Sequence, residues 1–172
     1  MGRYLTAALG LAMAGAPAGA APVAYRVLDT GAYQSFVGNW TPDSAPLCAV
    51  IDSSAHWDAV MHPAAMMGGS RRFAPPPETW TSHVVLLIAR VIPGGGKGTA
   101  LQPVSVDGAV ASLDVDYRFT PPPAGSYTIK AYVALEIPRL VPATVVFKEN
   151  GQTVCMLKPR DGAWLSPAAI PQ

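Results

Sequence analysis

The chain lacks an excess of either charge: its 172 residues carry twelve Lys and Arg against eleven Asp and Glu, a formal net charge of +1. With no basic surplus to hold phosphates, nucleic acid is excluded as an expected partner. Beyond residue 20 no apolar run reaches the roughly 20 residues a spanning helix needs. The closest, Val84 to Ile92, contains Arg90 and stops at Pro93. There is no Gly-x-Ser-x-Gly elbow, so a hydrolase nucleophile of that kind is not indicated. No internal repeat is visible. Cysteine is scarce, with Cys48 and Cys155 alone, and neither lies just after the apolar start, where a lipid-attachment cysteine would stand.

That start is the most telling stretch present. Arg3 supplies a positive charge, Tyr4 to Gly15 is apolar, and Ala18-Gly19-Ala20 gives the small-x-small pattern of a signal-peptidase site. Residues 1–20 are expected to be a signal peptide, leaving a single domain over 21–158 and a loosely attached tail over 159–172. The expected location is periplasmic or extracellular, with no membrane anchor after cleavage. Loss of Arg3 leaves eleven basic and eleven acidic residues. In an oxidising compartment Cys48 and Cys155 are a disulfide candidate. Closing a loop of that length stabilises a fold by about 4.7 kcal/mol on chain-entropy grounds, less any strain. The alternative is two separate buried thiols acting as small apolar fillers.

Strand signals dominate the rest. Val23 to Asp29, Tyr33 to Trp40 and Leu47 to Asp52 read as strands. Ser53 is placed to cap a short helix near 54–62, with Trp57, Val60 and Met61 at helical spacing on one apolar face and Pro63 as its stop. Residues 62–80 read as an irregular loop. Ser82 to Ile92 is apolar on both alternating faces, the pattern of a central strand covered on both sides. Asp107-Gly108 reads as a tight turn between Val104–Val106 and a strand over 109–120. That strand presents Leu113, Val115, Tyr117 and Phe119 on one face and Asp114, Asp116 and Arg118 on the other. A further strand carries Ile129, Ala131, Val133, Leu135 and Ile137 on one face. Asn150-Gly151 fits a type I′ hairpin turn, which sets Val146 opposite Cys155 and Phe147 opposite Val154. The expected fold is mostly β, with an α+β variant open: an antiparallel sandwich or curled sheet with that one helix.

Chemistry-bearing patterns are few. Gly94-Gly95-Gly96-Lys97-Gly98-Thr99 departs from a phosphate loop, because Gly98 separates Lys97 from Thr99 and Pro103 follows where a helix is required. It reads as a turn. Asp114 and Asp116 share one strand face about 7 Å apart, a spacing two glycosidase carboxylates can use. With Arg118 on the same stripe they read as a solvated face. The histidines, His56, His62 and His83, have no serine or acid linked to them by spacing. No enzyme, and no cofactor, is expected. The alternative function class is a periplasmic metal or small-ligand protein. Met61, His62, Met66 and Met67, with His56 nearby, concentrate soft sulfur and imidazole donors suited to copper. The plainer account puts Met61 in the core and the others in a loop.

The order of motifs resembles the C-terminal domain family of PrcB, a subunit of an exported bacterial protease complex. The resemblance runs from about residue 25 to 139. It rests on Tyr25-Arg26-Val27-Leu28-Asp29-Thr30-Gly31 and on Ala49-Val50-Ile51-Asp52-Ser53-Ser54-Ala55-His56-Trp57. It continues with Val84 to Ile92 followed by Gly94-Gly95-Gly96, then Pro121-Pro122-Pro123-Ala124-Gly125, and Tyr132 with Ile137-Pro138-Arg139. Ala131 stands where the family places a proline, and Lys97 shifts the glycine turn. The resemblance implies an exported, non-catalytic accessory protein that binds or stabilises a partner such as a secreted protease, and it carries over no catalytic residue. The expected interaction surface is the turn at Gly94, Gly95, Gly96 and Lys97, with the proline-rich loops at 71–77 and 121–125 and with Tyr132. Expression with export followed by N-terminal sequencing tests the cleavage site: the mature chain begins at Ala21, and an intact N-terminus refutes it.

Overall fold

The structure, a computed structural model, describes residues 19–28, 34–36, 45–63, 74–94, 100–109, 111–123, 125–140, 142–160 and 163–164. The expected signal peptide is outside this set apart from residues 19 and 20. Among the described residues the strands are β1 (Ala21–Pro22), β2 (Arg26–Val27), β3 (Gln34–Phe36), β4 (Leu47–Ile51), β5 (Met61–Pro63), β6 (His83–Gly94), β7 (Leu101–Gly108), β8 (Ser112–Phe119), β9 (Tyr127–Pro138), β10 (Thr144–Glu149) and β11 (Gln152–Leu157). Two short helices, α1 (Ser54–Val60) and α2 (Thr79–Ser82), complete the described elements. A five-stranded sheet has the order β1-β7-β8-β10-β11 and a four-stranded sheet the order β2-β9-β6-β4, while β3 and β5 form a small ribbon of their own.

The apolar run of β6 explains the layering. Val84, Leu86 and Ile88 belong to the core that lies between the two large sheets, together with Val133, Leu135 and Ile137 of β9 and Leu113, Val115, Tyr117, Val145 and Phe147 of the facing sheet. Val85, Leu87, Ala89 and Val91 point to the opposite face, where Trp57, Val60 and Met61 of α1 and its end close a second core. The four-stranded sheet is thus the middle of three layers, and a strand inside it must be apolar at every position. Among the described residues the five-stranded sheet is covered on one face only. Its β8 alternates accordingly, with Leu113, Val115 and Tyr117 at 1% exposure or less and Asp114 and Asp116 half-buried.

The helix begins as its capping residue dictates: the Ser53 hydroxyl accepts from the His56 amide at 3.2 Å. It ends earlier than residue 62. Met61 is already extended, with φ −104° and ψ 100°, and Met61–Pro63 pairs antiparallel with Gln34–Phe36. Strand pairing thus takes over two residues before Pro63 can act as a breaker. The stretch 62–80 is also not wholly irregular, since Thr79–Ser82 forms the one-turn α2, whose Trp80 lies 6.3 Å from Trp57 between ring centres. The first strand is shorter than 23–29. Ala21–Pro22 pairs with β7 in one sheet and Arg26–Val27 with β9 in the other, so the segment between them crosses from sheet to sheet.

Two turn assignments differ instructively. Asn150 (φ 50°) and Gly151 (φ 81°) form the expected hairpin turn between β10 and β11. Asp107-Gly108 does not turn the chain; both residues lie in β7, opposite Asp114 and Leu113. Gly108 has no positive φ. Its lack of a side chain serves a close approach instead, because a Cβ there would stand 3.1 Å from Val23 Cγ2. The register after Asn150-Gly151 also departs from a plain two-residue hairpin. Glu149 faces Gln152 and Lys148 faces Thr153, but Phe147 faces Cys155, so Val154 is an extra residue, a bulge. One residue of slip turns every later side chain to the other face. Cys155 therefore shares the inner face with Phe147, where it bonds to Cys48 with their Cα atoms 6.4 Å apart. The fold is a mostly antiparallel β sandwich; β8 and β10 pair in parallel because β9, between them in sequence, belongs to the other sheet. Replacing Gly108 with Ala is expected to lower stability by about 1 kcal/mol through overpacking, and by less in a Val23→Ala background. Urea unfolding of the four variants checks this; equal costs in both backgrounds would show that the two residues do not compete for space.

Candidate functional site

The ends of the long strands gather the loops. Gly94 ends β6, Ala100 precedes β7, Phe119 ends β8 and Tyr127 begins β9, so these strand ends lie at one end of the sandwich. The hairpin turn at Asn150-Gly151 is at the same end. Its Asn150 side chain accepts from the Phe119 amide and donates to the Phe119 carbonyl, both at 3.1 Å, while its own amide donates to the Tyr117 carbonyl at 2.9 Å. The chain at Ala100 is joined in as well, since the Thr120 amide donates to its carbonyl at 2.9 Å.

Beneath these loops lies a compact polar brace. Arg90 donates through Nε and Nη2 to the two carboxylate oxygens of Glu149, each at 2.6 Å, and the pair is only 17% and 12% exposed. Such a two-pronged pair fixes orientation as well as distance. The Tyr117 hydroxyl donates to the same carboxylate at 2.8 Å, and the Arg90 guanidinium sits 4.6 Å from the centre of the Phe119 ring. Burial, then the hydrogen bond to Glu149, push the Tyr117 hydroxyl well above the ordinary tyrosine range. The brace ties β6 of one sheet to β8 and β10 of the other across the sandwich. Sequence reasoning alone does not reach it: Arg90 and Glu149 are 59 residues apart. The one available signal is Arg90 itself, a lone charge in an otherwise apolar strand, which must find a partner when its strand is buried.

The expected interaction residues divide. Gly94 is at the tip of the β6–β9 ribbon, paired with Tyr127; Gly95, Gly96 and Lys97 lie outside the described residues. In the same ribbon Tyr127 through Lys130 are all exposed, with Tyr127 at 59% and Ile129 at 40%. Pro121 and Pro123 are exposed at the same end, whereas 71–73 are outside the described residues. Tyr132 is not part of that tip. It pairs with Ala89 and packs, half-buried, against the core under α1.

The soft-ligand group does not assemble among the described side chains. Met61 is 1% exposed and fills the core under α1. His62 is described only by its backbone, opposite Ser35, and Met66 and Met67 lie outside the described residues. Among the described residues no group of three or more His, Cys, Asp or Glu is arranged to hold a metal. His56 is buried with Nδ1 3.3 Å from Asp52 and with Nε2 unpartnered. Asp114 is occupied by Lys148, whose amine stands 2.7 Å away and is held above its ordinary range by that contact. A shallow groove of about 370 Å³ opens at the other end of the sandwich, lined by Ala21, Val23, Gly108, Leu113, Leu140 and Pro142 among others. It presents no acid, base or nucleophile apart from Ser112.

Family models, characterised proteins and solved structures were compared with this chain, and none matches. Among the described residues no helix is long and apolar enough to cross a membrane.

The brace gives stability a defined alkaline limit. A hydroxyl whose acidity is weaker in the folded chain than in the unfolded one favours folding below the unfolded value, 10.0. That contribution is lost as pH rises above it, at up to about 1.4 kcal/mol per pH unit. Urea unfolding between pH 8 and 12 is expected to show a decline beginning near pH 10 that is shallower in Tyr117→Phe. An identical decline in both proteins would place the loss elsewhere, for instance at Lys148.

Proposed function

We propose that this chain is an exported, non-catalytic interaction protein whose binding surface is the loop end of the sandwich. The observation that carries the reading is the arrangement at that end. The described ends of β6, β8 and β9 and the Asn150-Gly151 turn meet there on a frame fixed by the Arg90–Glu149–Tyr117 brace, beside a strand ribbon that holds Tyr127 and Ile129 out in solvent. Loops on a rigid sheet are where binding residues commonly reside, because the frame bears the ordering cost in advance. Exposed aromatic and aliphatic side chains are the kind that anchor a protein interface.

The disulfide supports export, since such bonds persist in oxidising compartments. Strand β1 begins at Ala21, so cutting after Ala20 removes none of the strand pairing. The resemblance to the PrcB C-terminal domain family, carried by the motifs from Tyr25 to Arg139, supplies the partner class: a secreted protease that the chain binds or stabilises. Two described residues of those motifs have structural roles. Trp57 is the buried anchor of α1, and Arg139 donates to the carbonyls of Asp52 at 2.9 Å and Trp80 at 2.6 Å, holding both helix-bearing connections against the end of β9.

The test is cross-linking and affinity capture of the tagged mature chain from its own cell envelope, run beside a Tyr127→Ser/Ile129→Ser double variant. The expected result is a stoichiometric protein partner, a protease among the candidates, captured by the parent chain and reduced at least tenfold with the variant. Recovery of the bait alone, or equal capture by both, counts against this surface.

A further inference from the structure

The two cysteines lie on edge strands. β4 is the last strand of the four-stranded sheet and β11 the last strand of the five-stranded one, so their bond closes one side of the sandwich. β11 touches the start of β4 a second time, where Cys155 Sγ lies 3.8 Å from the Pro46 carbonyl oxygen. The two strands are unequal in what they bury. Every residue of β4 is buried, Leu47, Cys48, Ala49, Val50 and Ile51 all at 6% exposure or less. No residue of β11 is fully buried: Gln152, Thr153 and Met156 are exposed, and Val154, Cys155 and Leu157 are half-buried at the rim of the core. The core between the sheets is built by β6, β7, β8, β9 and β10 together with β4, without any buried residue from β11. The bulge at Val154 has one evident consequence, which is to turn Cys155 inward toward Cys48.

From these facts we infer that the Cys48–Cys155 bond is a redox-operated latch: its reduction frees β11 from β4 while the rest of the sandwich stays folded. The chemistry is thiol–disulfide exchange with a dithiol reductant. A thiolate of the reductant attacks the sulfur of half-buried Cys155, forming a mixed disulfide and expelling Cys48 as a thiolate that takes up a proton. The second thiol of the reductant then attacks its own sulfur in that mixed disulfide and releases Cys155 as a thiol. The reductant ends as a cyclic disulfide, and the protein has gained two electrons and two protons. The order of attack follows from burial, since Cys48 is 6% exposed and an attacking thiol must reach the sulfur. What the open latch releases is β11 alone, an edge strand with no fully buried residue, while β4 stays paired to β6 along its length.

Hydrogen–deuterium exchange on the mature chain, oxidised and after treatment with dithiothreitol, tests this. Amides in 152–158 are expected to exchange at least tenfold faster when reduced, with 47–51, 84–92 and 130–137 unchanged. A Cys48→Ser/Cys155→Ser double variant is expected to match the reduced protein and to ignore the reductant. Reaction with the monothiol glutathione, stopped early and mapped by mass spectrometry, is expected to place the adduct on Cys155. Faster exchange throughout the chain, faster exchange in 47–51, no change in 152–158, or a first adduct on Cys48 would each overturn the inference.

Discussion

Strand β6 has to be buried on both faces, and most of the architecture is a response to that demand. Leu86, Leu87 and Ile88 are consecutive and each is at 0% exposure. Consecutive residues of a strand point to opposite sides, so neither side can face water. Each such side chain left exposed would forgo about 1.5–3 kcal/mol. One face is covered by the second sheet, whose own outer face can then be polar. The other is covered by α1, which has only seven residues, too few for an isolated helix to persist in water. It exists because Trp57, Val60 and Met61 complete the core under it and because Ser53 satisfies its first turn.

The same demand sets where charge can be placed. Arg90 lies in the strand that must be dry, and its guanidinium is neutralised across the sandwich by Glu149 rather than by a neighbour on its own sheet. Unpaired, it would carry a penalty of several kcal/mol. Paired, it makes the end of the sandwich stiff: β6, β8 and β10 meet at a single carboxylate, and Asn150 joins the turn to Phe119 by two hydrogen bonds. The end of the sandwich that bears the proposed function therefore stands on a polar region tied together by these bonds.

What the sequence reveals and what it withholds follow from the range of the forces involved. The burial of β6, the alternation of β8, the Ser53 cap and the Asn150-Gly151 turn are all written within a few neighbouring residues, because period and backbone preference act locally. Asp107-Gly108 carries the same local sign as a turn, yet Gly108 is there for the approach of Val23, 85 residues earlier in the chain. Local preference cannot distinguish a glycine that frees the backbone from one that makes room for another strand. The bulge at Val154 is likewise silent in the alternation, and it alone decides which way Cys155 points. The helix end at Val60 is set by pairing of β5 with β3, a contact no periodicity encodes. The brace, joined over 59 residues, lies beyond any local rule. The loop end was partly legible, since Gly94 and the prolines mark it, but Tyr132 was not: its alternation gives a face, and only α1 packing on that face makes it half-buried.

Charge finally bears on how a partner would be met. With a formal net charge of +1 over 172 residues and with Arg26, Arg90 and Lys148 each paired to a carboxylate, little field extends into solvent. Beyond about 8 Å at physiological ionic strength what remains is screened. Association at the loop end would then proceed at the unsteered rate, on the order of 10⁵–10⁶ M⁻¹s⁻¹, and vary little with salt. Specificity would have to come from shape and from apolar anchors such as Tyr127 and Ile129, and from a frame that does not move when they dock. That is the property the Arg90–Glu149 pair confers. On the proposed function the brace would contribute to recognition without touching the partner, by removing the entropy that mobile loops would otherwise lose on binding.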